Sequence, residues 1–275
     1  MPKEEIVADL YPSVYSFRPD YAMKSKTKRW IAAVEERAFY RLMHKGEVDT
    51  IKRHTGIVSG LMLDVGCGSG DRLARFARAG FQVRGIEIQK DLAEYVKSHR
   101  RFEVDIGTLD SVSYPTASFD IVTIYWVIEH LLNVESVLVK AHRILKPGGW
   151  LVAEIPLSDS SQSRLLGGRW SQFGEAPRHI GIPTHRGVEK ALSASGYTEI
   201  SILPSSLLNC AGSFALSVVP RAASTHAYGD SSLTSHFARL LGGILTLLYL
   251  PIATIENHFV HKPAFGLILA RKPLG

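Results

Sequence analysis

At 275 residues, 45% hydrophobic and 21% charged, the chain suits one large α/β domain with insertions and is neither disordered nor fibrous in composition. Two cysteines, Cys67 and Cys210, exclude a disulfide framework and an all-cysteine metal site. The net charge of +6 leaves a polyanionic partner open, but the basic residues are scattered. Their densest cluster, Lys24, Lys26, Lys28 and Arg29 beside Trp30, reads as a solvated helix face, and no RNA-binding motif accompanies it. Nucleic acid is therefore not the expected partner.

Residues 1 to about 55 read as an N-terminal extension. It holds the aromatic stretch Tyr11, Tyr15, Phe17 and Tyr21, then a predicted helix from about Thr27 to Met43. Its first residues, Pro2, Lys3, Glu4 and Glu5, lack a signal-peptide pattern, which points to the cytoplasm. Leu61 to Val65 is a mostly apolar run with one acid, Asp64. Gly66, Gly68 and Gly70 follow at alternate positions around Cys67, a small packing residue. A predicted helix over 71–79 places Leu73, Phe76 and Ala77 on one face, and Gly80 closes it. Strand, glycine loop and helix form a cradle in which backbone approaches a ligand closely. The loop is Gly-x-Gly-x-Gly, one residue tighter than the dinucleotide fingerprint. A second strand over 82–87 ends at Glu87, a spacing that suits a ribose diol.

Strands near 101–104, 120–125, 149–155, 198–203 and 265–271 follow, with helices near 90–98, 134–144 and 185–195. This alternation predicts a parallel sheet covered on both faces. Lys146-Pro147-Gly148-Gly149 is a turn before strand five. Thr184 is placed to cap the last core helix and Gly196 to end it. Residues from about 156 to 183 and 204 to 263 exceed a minimal domain, and insertions of this kind usually build a substrate pocket. The second contains Leu240 to Ile255, a charge-free run interrupted by Gly242-Gly243 and Pro251. It reads either as a buried cap helix or as a lipid-facing or dimerising one.

Leu63-Asp-Val-Gly-Cys-Gly-Ser-Gly70, Gly85-Ile-Glu87, Ser118-Phe-Asp-Ile-Val-Thr123, Val127-Ile-Glu-His-Leu131 and Leu145-Lys-Pro-Gly-Gly-Trp-Leu151 occur in order. On these residues the chain resembles the class I S-adenosylmethionine-dependent methyltransferases, over roughly residues 55–205 and the last ten. Trp170 and Pro177-Arg178-His179 after strand five bring it closer to the bacterial branch known as the methyltransferase domain.

The resemblance implies a Rossmann-like, doubly wound, seven-stranded sheet with its last strand antiparallel. It implies that the N-terminal extension is a lid over residues 56–275, the methyltransferase domain proper. The cofactor would be S-adenosylmethionine, leaving S-adenosylhomocysteine. Asp64, Gly66, Cys67, Gly68 and Gly70 would hold its methionine and ribose portions, and Glu87 and Ile88 the ribose. Many relatives place Gly-Asp after strand three for the adenine amino group. Here Gly107-Thr108 stands there, so Thr108 and Leu109 take that role, with Asp105 or Asp110 as substitutes. Tyr125 and Trp126 follow strand four near the point where open sheets bind ligands.

Quinone O-methyltransferases, which this region also resembles, can bind a divalent metal through two acids and a histidine. Glu129 and His130 match, but Trp126 stands at the first acid, so no metal is expected. His130 and His179 are the two candidate bases for a hydroxyl proton; each also has a structural reading. The expected activity is methyl transfer, most readily to oxygen, on a small or lipid-linked acceptor. A non-catalytic cofactor-binding module, an RNA methyltransferase and an NAD-dependent dehydrogenase remain as rivals. Peripheral membrane contact and a homodimer stay open.

Overall fold

A computed structural model describes His44, residues 46–220 and residues 233–275. The aromatic stretch, the helix expected at 27–43 and the lysine cluster lie outside the described residues. The elements, in chain order, are α1 (Glu47–Thr55), β1 (Gly60–Val65), α2 (Asp71–Arg78), β2 (Phe81–Glu87), α3 (Lys90–Tyr95) and β3 (Glu103–Ile106). Then come β4 (Phe119–Tyr125), α4 (Val134–Ile144), β5 (Leu145–Pro156), α5 (Ser161–Leu166) and α6 (His185–Ala194). β6 (Thr198–Pro204), α7 (Leu207–Val218), α8 (Leu233–Ile255) and β7 (Phe265–Arg271) complete them.

The seven strands form one sheet in the order β3-β2-β1-β4-β5-β7-β6. All neighbours are parallel except β7, which runs antiparallel to both β5 and β6. The doubly wound sheet with an antiparallel last strand is therefore as the sequence led us to expect. Alternate residues of each central strand enter opposite cores, as a period of two requires. Leu63, Val122 and Leu151 pack with Val137, Leu138, Val188 and Leu192 of α4 and α6. Met62, Ile121 and Val152 pack with Ile51, Leu73, Phe76 and Ala93 of α1 to α3. Local signals fix the helix ends. Thr184 Oγ1 accepts from the Gly187 amide at 3.0 Å to start α6, and Gly196, at φ +87°, follows it.

Two boundaries differ from expectation. β3 starts two residues later than 101, because α3 runs into a wide turn over Val96–Arg100 and Arg101 sits at φ +58°. The chain straightens only after that. β5 starts earlier, at Leu145, and its Lys-Pro-Gly-Gly segment is a bulge within the strand. Pairing with β4 jumps from Phe119–Leu145 to Ile121–Trp150. A side chain at Gly149 would meet the Lys146 carbonyl at 2.9 Å and the Asp120 carbonyl at 3.0 Å, so glycine closes the bulge.

Register brings the ends that matter together. Pro156 pairs with Phe265 and Pro204 with Gly266. The C-terminal ends of β5 and β6 and the start of β7 are thus level, on the edge where β1, β2 and β4 also end. α7 and α8 rise from this edge. Below them lies a third core of Trp170, Cys210, Ala211, Tyr249, Ala253 and Phe265.

Candidate active site

The order of strands reverses between β1 and β4, and the glycine loop leaves β1 at that point. Gly66, Gly68 and Gly70 have φ of +75°, +52° and +73°, the left-handed region that a side chain disfavours. Their reasons for being glycine differ. A Cβ on Gly66 would lie 2.5 Å from Val127 and one on Gly70 2.9 Å from Val96, so both are held by packing. A Cβ on Gly68 would meet nothing within 4 Å. Gly68 therefore presents bare backbone to open space, the surface that an adenosyl ligand needs. Cys67 is buried beneath the loop, and burial pushes its thiol well above the usual range, so it packs and does not react.

Glu87 ends β2 and is 6% exposed. One carboxylate oxygen accepts from the Gly68 amide at 2.8 Å and the other from the Gln89 amide at 2.9 Å. Burial raises its pKa while these backbone donors oppose the rise. It is not an exposed strand-end acid; it ties the glycine loop to β2. Ile88 beside it is exposed.

Asp64 is fully buried. Its Oδ1 accepts from Thr123 Oγ1 at 2.6 Å and lies 3.6 Å from Arg72 Nη1. Its Oδ2 is buried with no hydrogen-bond partner, and burial raises the carboxyl's pKa. Arg72, at the start of α2, also pairs with Glu47 at 3.1 Å and lies 3.4 Å above the Tyr125 ring centre. Tyr125 is the core aromatic of its pair. Trp126 is half-buried, at φ +57°, and packs edge-on against Phe265 of β7 at 4.9 Å.

The adenine side departs from expectation. Thr108 turns the chain after β3, its Oγ1 accepting from the Asp110 amide at 3.2 Å. Leu109 is buried in the main core beside Tyr114 and Phe119, so its side chain packs inward instead of covering a ring. The two substitutes are engaged elsewhere: Asp105 pairs with Arg84 and Tyr114, and Asp110 with Lys140 and Ser136.

After β4, a single turn over Ile128–His130 carries the second half of the site. The first insertion folds back onto it: the Ile180 amide donates to the Glu129 carbonyl at 2.8 Å. His130 and His179 meet edge to face, ring centres 4.8 Å apart. His130 Nδ1 lies 2.9 Å from the Arg178 carbonyl and His179 Nδ1 2.8 Å from the Gln172 carbonyl. A carbonyl only accepts, so in each neutral ring Nδ1 carries the proton and Nε2 is the accepting nitrogen. Burial lowers both pKa values, that of His179 to about 4 with help from His130. Glu129 is fully buried, both carboxylate oxygens lack a hydrogen-bond partner, and burial pushes it up to about 8. Glu129, His130 and His179 each offer an atom able to ligate a metal, and these atoms lie within 4.8 Å of one another.

Two charged residues of this edge were not singled out in the sequence. Arg72 joins Asp64, Glu47 and Tyr125. Glu154 of β5 is buried, accepts from Asn209 at 2.9 Å and from Ser205, and is pushed up to about 7. An acid inside the apolar run Leu151-Val-Ala-Glu-Ile155 is a signal that was there to read.

The family described as "Methyltransferase domain" matches residues 63–153, from β1 into β5. A ubiquinone biosynthesis O-methyltransferase of Chromobacterium violaceum is 33% identical over 182 residues, covering 56% of this chain and 75% of that relative. The fold is shared with phosphoethanolamine N-methyltransferase 2 of Haemonchus contortus in complex with S-adenosyl-L-methionine. The TM-score is 0.57 at 18% identity, over 96% of this chain and 61% of that one. It is shared as well with a putative sarcosine dimethylglycine methyltransferase from Galdieria sulphuraria. There the TM-score is 0.56 at 14% identity, over 98% and 99%. Sheet order, glycine cradle and matched relatives agree, and the chain belongs to the class I S-adenosylmethionine-dependent methyltransferases.

Proposed function

We propose that this protein moves the methyl group of S-adenosylmethionine to an oxygen of a small or lipid-linked acceptor, in the cytoplasm. The observation that carries this reading is the facing pair His130 and His179 on the same sheet edge as the glycine cradle. The cofactor, when bound, supplies a sulfonium methyl open to in-line displacement. Asp64, Gly66, Cys67, Gly68 and Gly70 would hold its amino-acid and ribose portions, Glu87 and Ile88 its ribose edge, and Thr108 would bound the adenine side. Trp126 would wall the reacting end. The acceptor proton would go to Nε2 of His179 or His130, each ring being held through Nδ1 by a backbone carbonyl. Most of the rate comes from alignment in a pocket that excludes water. In this reading residues 1–55 act as the lid, and the insertions at about 156–183 and 204–263 build the acceptor side.

One observation favours a second use of the same cluster. The two bare Glu129 oxygens beside two imidazoles form a donor set that suits a divalent cation. Glu129, His130 and His179 would hold it, and it would acidify the acceptor hydroxyl. Dialysis against a chelator separates the two uses: undiminished turnover supports the metal-free reaction, and loss reversed by added cation supports the second. The main test is transfer of labelled methyl to a panel of phenols, alcohols and amines, each with and without a polyprenyl tail. Label on hydroxyl acceptors alone is expected; label on amines alone would refute the reading.

A further inference from the structure

α8 is apolar on the side that faces away from the protein. Its inner face packs on α7, where Tyr249 stacks on Phe214 at 3.8 Å, and continues into buried Glu256 and Asn257. Gln162, Tyr249 and Glu256 tie the hairpin to α5 from within. Its outer face carries Phe237, Leu241, Ile244, Leu248, Ile252 and Ile255, all exposed. At 100° per residue these six side chains occupy an arc of about 80°. Every exposed position from 240 to 255 is apolar or glycine. Of the eighteen exposed large apolar side chains among the described residues, eleven lie between Val218 and Val260. The expectation of a buried cap helix therefore holds for one face only.

The exposed formal charge of the adjoining segments has one sign among the described residues. Arg164 and Arg169 are exposed on the α5 segment, which packs beneath the hairpin through Leu166 and Trp170. The acids of these segments are withdrawn: Asp159 is paired with Lys262 and His185, and Glu256 is buried.

We propose that the outer face of α8 docks in the plane of an anionic lipid bilayer. An apolar stripe with the exposed Arg164 and Arg169 on the adjoining segment, and without exposed acids among the described residues of these segments, matches the interfacial layer of such a membrane. A second copy would set the same basic charge against itself across a two-fold axis. The helix is long and apolar enough to cross a bilayer, but both its ends belong to one side. α7 leaves β6 at the sheet edge, and β7 re-enters between β5 and β6 only a few residues after α8. A crossing helix would pull β7 out of its sheet, so the helix lies flat. The active-site edge then faces the membrane, which rests on the proposed function only for the claim that a lipid-linked acceptor uses this route.

The test is flotation of the full chain with vesicles of phosphatidylcholine alone and of phosphatidylcholine mixed with phosphatidylglycerol. No methyl transfer is involved, so the result is independent of the acceptor. Wild type is expected to float with the anionic vesicles. The triple variant I244E/L248E/I252E, altered only on the outer face, should partition at least about tenfold less. Leu274→Glu, an exposed apolar residue elsewhere, should bind as wild type does. Circular dichroism and S-adenosylhomocysteine affinity should match wild type in all. Wild type left at the bottom with both vesicle types would overturn the proposal. So would equal flotation of the triple variant, or a dimer abolished by the triple variant with no lipid binding.

Discussion

The glycine cradle and the acid–histidine cluster share one sheet edge, yet they are built in opposite ways. The cradle is a continuous stretch from Asp64 to Glu87 whose key contacts are backbone: positive φ at three glycines and two amides held by Glu87. The cluster joins residues far apart in the chain, His130 bonding to the carbonyl of Arg178 and Glu129 receiving the amide of Ile180. The first arrangement suits a ligand common to many proteins. The second is assembled by an insertion, the part of a fold free to vary with the acceptor. Cofactor binding and proton removal should therefore separate under mutation.

The largest effect is expected at the cluster. His130→Gln should lower turnover by about 10²–10⁴-fold while S-adenosylhomocysteine affinity, read by calorimetry, stays within about twofold. Equal losses in both would mean that His130 supports the cradle instead. Next, Gly68→Val should weaken cofactor binding by about a hundredfold, because its side chain fills open space at φ +52°. Its melting temperature should fall less than that of Gly66→Val, whose Cβ strikes Val127. Glu87→Ala should cost about 1.5–3 kcal/mol of cofactor affinity. Glu87→Gln should recover part of this, since one oxygen still accepts from Gly68.

The smallest effect is on stability. Glu154 is raised from 4.5 to about 7 by burial. The folded chain holds that proton more tightly, so Glu154 lowers stability progressively as pH climbs from about 4.5 to 7, and the loss persists above. Glu154→Gln, which still accepts from Asn209, should be more stable than wild type by about 1 kcal/mol at pH 8 and no more stable at pH 4. Thermal melts at the two pH values check the sign.

Much of the fold was legible because its signals are local. Apolar runs with period two, Thr184 before α6 and the spaced glycines each constrain the chain within a few residues. The site was legible only in part. Glu87 stood out by spacing, but its grip on the loop did not, because its partners are backbone amides. His130 and His179 could be named singly; their meeting depends on a fold-back that no local pattern encodes. Leu109 shows the same limit in reverse. Sequence placed it against adenine, while long-range packing with Tyr114 and Phe119 took it into the core. The charge-free run of α8 announced a helix, but only contact with α7 decides which face is left outside.

The division of labour is tested most directly at His179. Single-turnover methyl transfer and S-adenosylhomocysteine affinity would be measured side by side for wild type and His179→Gln, with a hydroxyl acceptor from the panel. The rate constant should fall by about 10²–10⁴-fold with affinity unchanged. A rate equal to wild type for His179→Gln, or a parallel loss of rate and affinity, would show that proton removal and cofactor binding are not divided in this way.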